Sequence, residues 1–201
     1  MQSLEPLFQS IEQNGWAFAD GILPQNLEQE LFLECQKSWS EGLFHEAHIG
    51  RGQEKTRKAE IRGDSILWLN TEHPNSASHR FLQWAAELRQ ELNHRYFMGL
   101  RSEEFHFARY PEGKGYQKHI DQHRGTSHRK ISLVLYLNPT WSSQDGGELC
   151  IYSPENESQE VKRILPQGGR LVLFRSDLIP HEVLPCFQTR WSLTGWFRTD
   201  G

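Results

Sequence analysis

Apolar positions in the first hundred residues recur at helical spacing. Leu4, Leu7, Phe8 and Ile11 fall on one face of a short helix, and Asn14-Gly15 ends it, because glycine accepts the left-handed conformation of a helix C-cap. "WAFADGIL" reads as a strand and turn. After Pro24, the positions Leu27, Leu31, Cys35 and Trp39 mark a second helix, and Phe81, Trp84, Leu88 and Leu92 mark a third over about residues 76–97. Between these two lie the polar, basic stretch "RGQEKTRKAE" and the strand-like "ILWLN".

From about Ser102 the period changes from helical to alternating. "EFHFARY", "YQKHID", "ISLVLYLN", "GELCIYS", "VKRILP", "RLVLF", "HEVLP" and "RWSLTGWF" are short runs cut by Gly and Pro, and they predict eight strands. That density implies a mainly β fold, an antiparallel sandwich or jelly roll, with the N-terminal helices packed outside it. There is no internal repeat and no low-complexity linker.

Composition narrows the class. A chain of 201 residues suits a single domain with one sizeable core. A 36% hydrophobic and 11% aromatic content, with seven tryptophans, excludes disorder, and a net charge of −4 gives no global attraction to nucleic acid. Cys35, Cys150 and Cys186 have neither the spacing of a zinc site nor the even count of a disulfide framework, so they read as buried or inert thiols. No secretory leader and no run of about 18 apolar residues is present, so a cytoplasmic protein with no membrane partner is expected.

The chemistry concentrates in "GYQKHIDQHRG", Gly115 to Gly125. Strand residues two apart point to one face, roughly 6–7 Å apart, so His119 and Asp121 can close on one ion while Ile120 enters the wall. The same H-x-D also suits a solvated strand end. In "ISLVLYLN" the oily face carries Ile131, Leu133, Leu135 and Leu137, which leaves Ser132, Val134, Tyr136 and Asn138 to line a pocket, with Tyr136 looking inward. "HEVLPCFQTRWSLTGWFR" adds His181 at a strand start, then sets Arg190, Ser192, Thr194 and Trp196 on a single face. A buried Arg190 demands an anion, either a ligand carboxylate or an internal partner among the 26 acidic residues. Two histidines and one carboxylate form the facial triad of non-haem iron(II), which leaves room for a bidentate 2-oxo acid and dioxygen, whereas catalytic zinc usually needs one open position.

On these residues the chain resembles the iron(II)/2-oxoglutarate oxygenases, and among them the prolyl 4-hydroxylases of the hypoxia-sensing (HIF prolyl hydroxylase) type, as a bacterial-like member. The matching stretches are "IRGDSILWLN", "ARYPEGKGYQKHID", "ISLVLYLN", "WSSQDGGELCIY" and "HEVLPCFQTRWSLTGWF", over roughly residues 60–198. The resemblance implies a double-stranded β-helix in one domain, 1–201, with helical support and a substrate lid in 1–100 and the jelly-roll catalytic core in 101–198. It implies Fe(2+) at His119, Asp121 and His181, and 2-oxoglutarate held by Arg190 and Tyr136, with Tyr110 facing it. Arg62, Asp64 and Trp196 would border the substrate cleft, and the segment from Arg51 to Asp64 would cover its mouth. The implied reaction consumes O2 and 2-oxoglutarate and turns a prolyl residue into 4-hydroxyproline, with succinate and CO2 as coproducts. The implied partner is a protein with an exposed prolyl loop, elongation factor Tu being a candidate by family analogy, and the chain would act as a monomer.

The connection "DQHRGTSHRK" is about one residue longer than the family pattern and adds His123 and His128, which read as solvated loop residues. Two other functions fit parts of the pattern. A nucleic-acid demethylase shares the triad, but its second arginine would fall at Trp196, and the acidic balance argues against it. A non-catalytic jelly-roll module would use the histidines structurally and pair Arg190 internally.

Overall fold

The computed structural model describes residues 3–47, 61–122 and 128–201. The basic segment 51–60 and His123 therefore lie outside the described residues. Helix α1 (Glu5–Asn14) buries Leu7, Phe8 and Ile11, and Gly15 ends it at φ 78° with its N–H donating to the Ile11 carbonyl. Strand β1 (Trp16–Asp20) follows, then α2 (Leu27–Ser40), which buries Leu27, Leu31 and Cys35. Trp39 is more exposed than its helical spacing predicts. It packs edge-on against Phe44 and Trp191, and the Arg109 guanidinium lies 4.1 Å from its ring centroid. Two short strands, β2 (His45–Glu46) and β3 (Ser65–Trp68), precede α3 (Ala77–Tyr96). Ser76 caps α3 by accepting the His79 N–H.

All eight C-terminal strands form where the alternation places them: β4 (Ser102–Tyr110), β5 (Tyr116–His119), β6 (Arg129–Tyr136), β7 (Leu149–Tyr152), β8 (Glu160–Ile164), β9 (Arg170–Arg175), β10 (His181–Val183) and β11 (Arg190–Arg198). They build two antiparallel sheets, a seven-stranded one in the order β1-β9-β6-β11-β4-β3-β2 and a four-stranded one in the order β5-β10-β7-β8. This is a double-stranded β-helix, or jelly roll. The first hundred residues also contribute β1, β2 and β3 to the large sheet.

Strand β11 runs antiparallel to β4 from Arg190↔Tyr110 to Arg198↔Ser102, and to β6 from Ser192↔Tyr136. Its odd-numbered face, with Leu193 and Phe197, joins Ile131, Leu133 and Leu135 of β6 and the apolar faces of the three helices in one core. Phe105 sits edge-on between Phe81 of α3 and Phe197, with centroids 5.2 and 5.6 Å apart. Burying each such ring contributes about 1.5–3 kcal/mol. On the other side of the large sheet, Tyr136, Val172 and Phe174 pack against Leu149 and Ile151 of the small sheet. Asn138 ties strand ends together by donating to the Pro166 carbonyl and accepting the Trp191 N–H, both at 2.8 Å. The three cysteines are buried and free. Among the described residues no helix is long and apolar enough to cross a membrane.

Gly195 marks the closest approach of β11 to β4. A Cβ there would lie 2.0 Å from the Glu104 carbonyl oxygen and 2.7 Å from the Phe105 Cα, and backbone cannot move aside as a flexible side chain can. Gly195→Ala is expected to cost about 2–4 kcal/mol in urea unfolding. An unchanged midpoint would mean that the central ladder is slack enough to part.

Candidate metal centre

Between the sheets lies a cavity of about 500 Å³. His119 ends β5, His181 begins β10, and the antiparallel register sets the two directly opposite each other with ring centroids 4.3 Å apart. Asp121 brings Oδ1 to 3.4 Å from His119 Nε2 and 3.7 Å from His181 Nε2. One ligand atom from each of the three lies within 4.8 Å of the other two. Strand β5 stops two residues earlier than the H-x-D alternation predicts. Asp121 consequently sits in a bend, and Ile120, predicted to enter the wall, is 38% exposed at the cavity edge because the chain has already left the sheet.

Neighbouring groups fix the presentation of each ligand. His119 Nδ1 lies 2.7 Å from the Gln117 carbonyl and His181 Nδ1 lies 3.0 Å from the Ile179 carbonyl. A carbonyl only accepts, so both rings carry their proton on Nδ1 and turn the Nε2 lone pair to the centre. Tyr116 stacks on His119 at 3.7 Å, and Phe174 packs against His181 at 4.5 Å. Asp121 Oδ2 accepts from Ser132 Oγ at 2.6 Å, and Ser132 Oγ lies 2.9 Å from Ser176 Oγ. Burial raises the Asp121 pKa, but the adjacent His181 and His119 and the Ser132 hydroxyl outweigh it and hold the carboxyl well below the usual range. Burial and the neighbouring His119 lower His181 to about 4 against the pull of Asp121, so this imidazole is neutral at pH 7.

Two neutral-nitrogen donors and one carboxylate oxygen form the facial triad of Fe(II). An ion bound at about 2.1 Å would set ligand atoms at right angles about 3 Å apart. The observed separations therefore need little closure, and the donor set fits the metal.

Other predicted residues divide into wall and support. Arg190 lines the cavity yet is only 2% exposed, and no carboxylate pairs with it among the described residues. Its Nε donates to the Gly147 carbonyl at 2.9 Å and its Nη1 reaches Ser192 Oγ at 3.4 Å. The guanidinium carbon lies 5.1 Å from the Tyr110 ring and 5.0 Å from the Tyr136 ring. Tyr110 is on the wall, whereas Tyr136 is wholly buried beside Arg190 with no hydrogen-bond partner for its hydroxyl among the described residues. Burial raises the Tyr136 pKa despite Arg190, which keeps the hydroxyl protonated.

Arg62 lines the cavity and pairs with Asp64 through two bonds of 2.7 and 3.0 Å. Asp64 itself is buried behind that pair. Burial opposes the Arg62 charge, and Asp64 more than compensates, raising its pKa. Trp196 is on the wall, with the Arg129 guanidinium 3.4 Å from its ring centroid. His128 pairs with Asp200 at 3.9 Å.

Alternation placed Ser132 on the pocket face of its strand, and its bond to Asp121 gives it a more specific task. Several other groups at the site were not singled out in the sequence. In "EFHFARY" alternation likewise places Glu104 and His106 on the face of Tyr110, and both line the cavity. The orienting carbonyls of Gln117 and Ile179 leave no sequence signal, since any residue supplies a carbonyl.

Comparison with known proteins agrees with this geometry. The model of the 2OG-Fe(II) oxygenase superfamily matches residues 105–198. A Pseudomonas putida prolyl-4-hydroxylase structure is 36% identical, covers 98% of this chain and 99% of that one, and superposes with a TM-score of 0.87. The chain belongs to the 2OG-Fe(II) oxygenases. Within them it is prolyl 4-hydroxylase-like. A Trichoplax adhaerens prolyl hydroxylase, in complex with a hypoxia inducible factor oxygen degradation domain peptide fragment, is 28% identical over 96% of this chain and 87% of that one, with a TM-score of 0.82. Egl nine homolog 1 of Homo sapiens is 28% identical over 97% of this chain and 46% of its own length. The chain spans about half the length of this relative and of its Rattus norvegicus and Mus musculus counterparts.

His119→Ala, Asp121→Ala and His181→Ala are each expected to abolish stoichiometric Fe(II) binding with the fold retained, since three ligands are the minimum that holds the ion. Ser132→Ala, which removes only the donor to Asp121, should weaken metal affinity about 10–100-fold. Anaerobic titration with Fe(II), with circular dichroism as the folding control, measures both. Full binding by a triad variant would remove that residue from the centre.

Proposed function

We propose that this chain hydroxylates a prolyl residue of a protein substrate, using 2-oxoglutarate and O2. The observation that carries the proposal is a buried Arg190 with no acidic partner among the described residues, in the same cavity as the triad. A buried guanidinium without an anion is costly, and its planar fork suits a carboxylate. Arg190 and the protonated hydroxyl of Tyr136 would hold the distal carboxylate of 2-oxoglutarate, with Tyr110 flanking it. When bound, the iron and 2-oxoglutarate supply the oxidising chemistry that converts a C–H to a C–OH, releasing succinate and CO2.

The chain's own contribution is placement and exclusion of water. Asp121 and the two imidazoles anchor the reacting end. The apolar Val134, Leu149 and Phe174 on the wall keep that end dry. Arg62, held by Asp64, and Trp196 would bear on the substrate. A peptide substrate is supported by the likeness to the Trichoplax adhaerens enzyme, which was captured with a peptide fragment. An exposed prolyl loop of elongation factor Tu is our candidate, with the chain acting as a monomer in the cytoplasm. The strands that residues 16–68 add to the large sheet support one domain over 1–201, with the chemistry in 101–198.

Incubating the iron-loaded protein with elongation factor Tu should add about 16 Da to a prolyl peptide, the mass of one oxygen, seen by mass spectrometry. No addition there, with 2-oxoglutarate turned over on another protein in extract, would replace the candidate. No iron-dependent CO2 release under any condition would reject the enzyme reading. Arg190→Ala should weaken 2-oxoglutarate binding at least about tenfold, since bonds to charged groups contribute about 1.5–3 kcal/mol, and Tyr136→Phe should weaken it less. Unchanged affinity in Arg190→Ala would assign this arginine a purely structural task.

A further inference from the structure

Three buried polar atoms without a hydrogen-bond partner among the described residues meet on one part of the cavity wall: both ring nitrogens of His106 and Nε1 of Trp196. His106 is 1% exposed and Trp196 7%. Their rings lie 5.7 Å apart at 40°, because the register sets His106 opposite Thr194, two residues before Trp196 on the same face of β11. The surrounding rings offer them no acceptor. Trp68 covers His106 at 4.7 Å, and Arg129 covers the Trp196 ring. Buried polar groups are normally satisfied, so three orphans together call for a ligand that completes them.

The chemistry of that ligand can be read from the donors. Burial, reinforced by Arg62 and Arg129 and opposed by Asp121, keeps His106 neutral, so it carries one donor and one acceptor. An indole N–H only donates. The two rings therefore offer two donors, one acceptor and no charge of their own, and the neighbouring Arg129 is matched by Glu104, which suits a neutral carbonyl better than a carboxylate. It also lies away from Arg190, since six residues of strand separate Arg190 from Trp196, roughly 20 Å.

A prolyl segment matches this wall. Proline has no N–H, so the main chain there presents carbonyl acceptors to the two donors, and the N–H of the residue after proline remains for the acceptor nitrogen of His106. We propose that His106 and Trp196 form a neutral hydrogen-bonding pocket for a main-chain carbonyl of the prolyl segment, and so set which residue reaches the metal centre. His106 is then a specificity-determining residue. The proposal rests on the prolyl hydroxylase reading above.

The test uses the full chain carrying Zn(II) in place of Fe(II), with 2-oxoglutarate, and the capped tripeptide acetyl-Ala-Pro-Ala-amide as probe. Adding the probe should shift the Trp196 indole N–H and the His106 ring nitrogens in NMR spectra, and acetyl-Ala-Ala-Ala-amide should shift them less. No shift, or equal shifts with both peptides, would overturn the pocket. In turnover with iron, His106→Phe should raise KM for a prolyl peptide about tenfold while KM for 2-oxoglutarate stays within twofold, and His106→Gln should recover most of the loss. Without peptide, His106→Phe should melt no lower than the parent, because it removes unsatisfied buried nitrogens. Unchanged peptide KM in a folded His106→Phe protein that still adds oxygen would leave the pocket filled by solvent only and reject it, with the hydroxylase reading intact. Peptide-induced shifts with no oxygen added to any prolyl peptide would reject that reading and leave a peptide-binding pocket.

Discussion

The ladder that joins β11 to β4 on one side and to β6 on the other constrains both halves of this molecule. Side chains alternate across a strand, so a register that buries Leu193 and Phe197 against the helices must turn Arg190, Ser192, Thr194 and Trp196 toward the cavity. A slip of one residue would exchange the two sets, placing a guanidinium in the apolar core and phenylalanine in the cavity. Hydrophobic burial on one face thus fixes the position of the polar groups on the other. Gly195 tightens the coupling, because only a residue without a side chain allows β11 to approach the Glu104 carbonyl so closely.

Polar groups around the cavity fall into two kinds. Some are satisfied within the chain: Arg62 is matched by Asp64, Arg129 and Arg198 share Glu104, and Ser132 donates to Asp121. Others are buried and incomplete among the described residues, namely Arg190, which lacks an anion there, the Tyr136 hydroxyl, both nitrogens of His106 and the Trp196 indole N–H. Folding would favour completing them or replacing them by apolar groups. Their persistence on or beside one cavity is the physical sign of a site whose bonds are finished by ligands, and it distinguishes this jelly roll from a merely structural one.

Much of the fold was legible because alternation is a strong signal where one strand face is oily. "ISLVLYLN" and "RWSLTGWF" gave both the strands and their cavity faces, and every strand expected after Ser102 formed. Two-residue β2 was not legible, since His45 and Glu46 carry no alternation and pair only because β3 offers an edge. The triad was legible in its residues and less so in its geometry. A strand end depends on turn conformation, so the departure of the chain after His119, which exposes Ile120 and swings Asp121 inward, is invisible to a period of two. The positions of Asp64 and Tyr136 behind the wall were equally hidden, because facing a cavity and reaching its surface are different properties.

Charge balance explains why the centre and Arg190 belong together. The chain supplies the triad with a single carboxylate, since both histidines present a neutral Nε2, so a divalent ion there retains one net positive charge. Arg190 adds a positive charge on the same cavity, and among the described residues no carboxylate pairs with it. In a low-dielectric space two uncompensated cations disfavour each other and attract a ligand with two negative charges. A dicarboxylate that spans from one to the other relieves both, whereas a monocarboxylate leaves one unmet. On the proposed reading, the chain's charges would select the number of carboxylates on the cosubstrate before any shape complementarity is considered.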